Sequence, residues 1–176
     1  MATRMPAGAV LPLRIAGIEP ESIVDGPGIR YVLFLQGCLH GCPECQNPGT
    51  HDPAGGREVS VQELLEGVRA RAFMRAVTFS GGEPFLQARA LLPLAAALRA
   101  EGYHLCAYTG YTWEALQGMP DAAALLPLLD LLVDGPYLKE QRSLELRFRG
   151  SANQRILDVQ ASLRAGRVVL SPLHDG

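Results

Sequence analysis

Four short apolar runs in this chain each stop at a polar turn built on glycine, and that repetition restricts the fold more than any other feature. Arg30 to Gln36 (RYVLFLQ) stops at Gly37-Cys38, and Ala76 to Ser80 (AVTFS) stops at Gly81-Gly82-Glu83-Pro84. His104 to Tyr108 (HLCAY) stops at Thr109-Gly110, and Leu129 to Val133 stops at Asp134-Gly135-Pro136. Short apolar runs bounded by turn formers read as buried strands. Helical signals separate them. Ser60 with Glu63 is a capping box ahead of Val61, Leu64, Leu65 and Val68, and Ala88 to Glu101 is apolar on most of its surface. Trp113 to Leu116 and Ala122 to Leu128 are shorter helical pieces. Strands alternating with helices predict an α/β fold with a parallel sheet and helices outside it. Such folds build their sites at the C-terminal strand ends, so the four turns are expected to meet on one rim.

The rest of the chain gives weaker signals. Leu13 to Ile18 is a further strand candidate, and Gly37 to Arg57 reads as a long loop. Ile156 to Val159 and Arg167 to Leu170 read as strand-like runs around a glycine turn. There is no internal repeat or linker, so one domain over residues 1–176 is expected. Hydrophobic residues at 48% and charged residues at 19% place the chain among soluble globular proteins. A formal net charge of −2 gives no argument for a nucleic-acid partner. No apolar run approaches the ~20 residues that span a membrane, and the N-terminus, interrupted by Pro6, Gly8 and Pro12, lacks a signal segment's apolar stretch. A cytoplasmic location is the expectation, with thiols kept reduced. One of the sixteen Lys and Arg residues is lysine, Lys139, which reads as compositional bias.

Three of the four cysteines crowd into GCLHGCPECQNP, residues 37–48. Cys38, Cys42 and Cys45 form CxxxCxxC in a loop kept irregular by Gly37, Gly41 and Pro43, a spacing that lets three sulfurs face one centre. Structural zinc takes four ligands, and His40 or His51 are candidates for the fourth. An iron–sulfur cluster held by three thiolates keeps one iron open to a substrate or cofactor. The spacing alone leaves both readings open. His40 and His51 otherwise read as solvated loop residues, and Cys106 as a buried inert thiol.

Taken together, GCxxxCPxCQNP, the preceding VDGPGIRYVLFLQGC and the following FSGGEPFLQ resemble the radical S-adenosylmethionine enzymes that activate glycyl-radical enzymes. YTGYTWEAL and LVDGPYLKEQRSLELRFRGSANQR are similar to one subgroup, the activators of the anaerobic ribonucleoside-triphosphate reductase. The resemblance spans about Ile18 to Val159. It implies a radical S-adenosylmethionine fold, a partial (open) TIM-type barrel. It also implies a 4Fe-4S cluster on Cys38, Cys42 and Cys45, with S-adenosylmethionine on the open iron. An external electron donor reduces the cluster, the sulfonium is cleaved to methionine and a 5′-deoxyadenosyl radical, and that radical takes a hydrogen atom from a glycine Cα of the reductase large subunit. Ser80, Gly81, Gly82 and Glu83 are implied to bind the cofactor, with Glu83 attracting its ammonium group. Thr109 and Asp134 are implied as further cofactor contacts or as holders of a monovalent cation. Glu44 stands where the wider family often has an aromatic.

Gly26, Gly28 and Arg30, with Arg149, Ser151 and Asn153, are expected to contact the partner or substrate, and a homodimer is allowed for. Two other readings remain at this level. One is activation of a different glycyl-radical enzyme, or small-molecule chemistry such as deazapurine synthesis. The other is a zinc-stabilised binding module.

Overall fold

A computed structural model describes residues 10–175, so most of the N-terminal stretch considered above lies outside the described residues. Seven strands form a sheet in the order β3-β1-β2-β4-β5-β6-β7: β1 Leu13–Ser22, β2 Arg30–Leu35, β3 Arg57–Val59, β4 Ala76–Gly81, β5 His104–Tyr108, β6 Leu131–Asp134 and β7 Arg155–Asp158. The four runs that stop at glycine turns are β2, β4, β5 and β6, and they pair in parallel. The expectation of a parallel sheet holds for this centre. Both flanks are antiparallel: β1 pairs with β2 and with β3, and β7 pairs with β6. No pairing joins β3 to β7, so the sheet is an open α/β arrangement.

Alternation along the central strands sorts side chains onto two faces. Leu33 and Leu35, Val77 and Phe79, Leu105 and Ala107, and Leu132 belong to the main core under the helices. Those helices are α1 Val61–Arg69, α2 Ala88–Ala100, α3 Trp113–Gln117 and α4 Pro120–Leu125. α1 begins where its capping signal predicts, with the Ser60 hydroxyl accepting from the Glu63 N–H at 3.1 Å. It buries Leu64, Leu65 and Val68. α2 buries Leu91, Leu94, Ala95 and Leu98 despite carrying Pro93 in its interior. The other face carries a smaller cluster, with Cys106, Leu131, Val133 and Ile156 packed beside Tyr108 and Phe148.

One segment differs in kind from the expectation. Between the two strand-like tail runs lies a helix, α5 Val159–Ala165, and Leu170 makes only an isolated bridge to Leu157. The Asp158 carboxylate accepts from the Ala161 N–H at 2.8 Å, capping the helix start. Gly166, at φ 65°, closes its end in the left-handed region.

Candidate active site

The four glycine turns do meet. Cys38, Cys42 and Cys45 line one cavity of about 180 Å³ with Ser80, Gly81, Gly82, Thr109, Gly110, Gly135 and Gly150. Each of the three cysteines is a free, half-buried thiol. Burial pushes the Cys38 thiol up, and a hydrogen bond from the His40 backbone works against that. Among the described residues, no three His, Cys, Asp or Glu side chains stand close enough to share a single metal ion. Three free thiols around one cavity are a donor set that an iron–sulfur cluster can use.

Backbone bonds shape the loop. The Gly37 and Cys38 N–H groups donate to the carbonyls of Thr50 (2.7 Å) and His51 (3.1 Å). The Gln36 side chain donates to the carbonyls of Gly49 and Asp52. Turns at Gly37 (φ 99°) and Gly41 (φ 62°) need glycine's freedom. Glu44 adopts the left-handed region as well (φ 53°), and its carboxylate pairs with Lys139. On the facing turn, a Cβ on Gly82 would lie 2.4 Å from the Gly37 carbonyl oxygen, so close approach of the two backbones requires glycine there.

Glu83 does not reach the cavity as expected. It is fully buried, and its carboxylate accepts from the Phe85 N–H (3.0 Å), the Thr109 hydroxyl (2.9 Å) and the Gly110 N–H (2.9 Å). His40 Nε2 completes the set at 2.6 Å. His40 is therefore neither a solvated loop residue nor a free zinc ligand. The carboxylate ties the end of β4 to the end of β5 and to the cysteine loop.

Asp134 also departs from expectation, and strand parity explains why. Leu131 and Val133 belong to the smaller cluster, so Asp134 points to the opposite face, toward the helices. It is 1% exposed, accepts from the Trp113 N–H at 2.7 Å and pairs with Arg155. Both oxygens are engaged within the protein, by Trp113 and Arg155. Tyr108, at the corresponding end of β5, lines the cavity and also a second one. Burial drives its phenol well above its ordinary value.

Of the six residues expected to touch a partner, Arg30, Ser151 and Gly26 are buried, while Arg149 and Asn153 are partly buried and Arg149 lines a second cavity. Arg30 is 1% exposed and donates to the Thr78 hydroxyl and to the carbonyls of Pro27, Val77 and His104. Arg149 donates to the carbonyls of Gln154 and His174. Ser151, fully buried, accepts from the Leu138 N–H, and Asn153 donates to the Pro136 carbonyl. Gly26 packs on Arg30, where a Cβ would sit 2.9 Å from its Cδ. Gly28 alone stays open, in a turn whose Ile23 and Val24 are 71% and 69% exposed. Tyr137 lines the cavity and was missed in the sequence, and Gly150 and Gln154 of the RGSANQ stretch line it as well.

The family described as "4Fe-4S single cluster domain" matches residues 24–157. The anaerobic ribonucleoside-triphosphate reductase-activating protein of Vibrio cholerae is 37% identical, over 77% of this chain and 91% of that protein. The pyruvate formate-lyase 1-activating enzyme of Escherichia coli is 47% identical, over 53% of this chain and 40% of that enzyme. Among solved structures, QueE from Escherichia coli superposes with a TM-score of 0.46 at 22% identity, covering 57% of this chain and 54% of the other.

Proposed function

We propose that this chain, which belongs to the 4Fe-4S radical S-adenosylmethionine activases of glycyl-radical enzymes, acts on the large subunit of the anaerobic ribonucleoside-triphosphate reductase. The observation that carries this choice is the extent of similarity. It runs over 91% of a reductase-activating protein but 40% of a pyruvate formate-lyase-activating enzyme. Cys38, Cys42 and Cys45 would hold the cluster, and Ser80, Gly81, Gly82 and Thr109 would line the place for S-adenosylmethionine. When bound, these groups supply reductive cleavage of the sulfonium, with one electron from an external donor, and removal of a hydrogen atom from a glycine Cα.

The chain's own residues supply orientation and access. Close packing at Gly82 brings the β4 turn directly against the cysteine loop. A second cavity, about 440 Å³, adjoins the first and shares Asp25, Gln46, Tyr108 and Gly150 with it. Ile23, Val24, Leu146 and Phe148 line it together with Arg147 and Arg149, and this mix of apolar and cationic groups suits a segment of another protein. Reduced thiols fit a cytoplasmic setting.

The test mixes the anaerobically reconstituted chain with the reductase large subunit, S-adenosylmethionine and a reductant. A glycyl-radical signal in the reductase by electron paramagnetic resonance, lost in Cys38→Ala, is the expected result. A signal in pyruvate formate-lyase alone would move the target to that enzyme.

A further inference from the structure

We infer that Thr109-Gly110-Tyr111 is a seat for the His40 ring, and that His40 is a positioning residue that holds the cysteine loop in shape before any cluster is bound. Three independent features of the turn fit the ring. Thr109 Oγ1 and the Gly110 N–H donate to the same carboxylate, Glu83, that His40 Nε2 meets at 2.6 Å. Gly110 has no Cβ; one built there would lie 2.5 Å from His40 Cδ2 and 2.6 Å from Nε2. Tyr111 closes the other side edge-on, with ring centroids 4.5 Å apart and planes at 70°.

Every other partner of the Glu83 carboxylate is a donor, so the His40 Nε2–H is the fourth donor to it. The carboxylate is fully buried, and removing one donor leaves part of its charge uncompensated. His40 stands between Cys38 and Cys42, so the bond fixes the loop midway between two of the three thiols. Ordering the loop ahead of cluster binding would otherwise cost conformational entropy at loading.

The inference rests on the three cysteines being the cluster ligands, but its test does not require a loaded cluster. Amide hydrogen exchange over residues 38–45 is measured in the metal-free full chain and compared with His40→Ala, His40→Gln, Gly110→Ala and the double variant. His40→Ala should lose about tenfold protection across the loop. His40→Gln, whose amide can donate to Glu83, should restore part of it. Gly110→Ala should resemble His40→Ala alone but add nothing once His40 is already alanine, because its clash partner is gone. In the reconstituted protein, His40→Ala should lose iron to a chelator about tenfold faster than wild type.

Unchanged exchange in His40→Ala, or a Gly110→Ala defect of equal size in both backgrounds, would overturn the seat. Failure of the cluster assignment looks different: normal iron loading in Cys38→Ala, whatever the exchange result.

Discussion

Arg30 shows how far a residue's role can differ from its setting in the sequence. Beside a glycine turn it reads as a surface contact, yet its guanidinium is enclosed and spans β2, β4 and β5 through four protein partners. Replacing it leaves a hydroxyl and three carbonyls short of a donor. Arg30→Met should therefore cost about 3 kcal/mol in urea unfolding, as an inner tie rather than a partner contact. Its neighbour His104 gives the chain a pH response. His104 Nδ1 lies 3.2 Å from an Arg30 nitrogen, and an arginine can only donate, so this ring nitrogen accepts. Burial first, and then the Arg30 charge, hold the imidazole below its ordinary value of 6.5. His174 is shifted the same way. The unfolded chain then binds more protons than the folded one just below 6.5, so stability should fall as pH drops through that range. Urea unfolding at about pH 7.5 and about pH 5.5 checks this, and His104→Gln should flatten the slope. The cysteines were legible in the sequence because their spacing is local. His40 was not, because its partner lies 43 positions away. Asp134 was misread because a strand-end carboxylate says nothing of which face it takes.

At the level of elements, the central strands were legible because each is a short, mostly apolar run that stops at a glycine turn. The antiparallel flanks were not, since alternation along a strand carries no record of its neighbour's direction. α5 was missed although Asp158 and Gly166 flank it, because its opening Val159 extends the apolar run of β7. α2 invites a test. Pro93 lacks the N–H that would reach the Arg89 carbonyl, a defect in the middle of a helix that buries six apolar residues. Pro93→Ala should raise stability by about 1 kcal/mol, read as a higher Tm with no change in far-ultraviolet helix signal beyond a small gain.

Across the whole molecule, cofactor and fold are coupled. The loop that carries the thiols is tied to the ends of β2, β4 and β5, so a group bound to it also bridges these strands. A ligand bound by the folded chain alone stabilises that state by mass action. The reconstituted protein should thus melt several degrees above the metal-free chain (of order ~5 °C for about 2 kcal/mol of linkage in a chain of this size). Stripping the iron with a chelator should return the lower Tm. Equal melting temperatures would mean that the loop is uncoupled from the sheet.

The pairing of Glu44 with Lys139 has a practical consequence. Lys139 is the only lysine in the chain, and it is half exposed at the edge of the cysteine loop. Acylating reagents therefore have one side-chain target, and a short amine-reactive tether would be anchored beside Cys45. Any bound protein caught by such a tether would be mapped directly to the mouth of the site. Acetylation of that same lysine would leave Glu44, in its left-handed backbone conformation, without its cation.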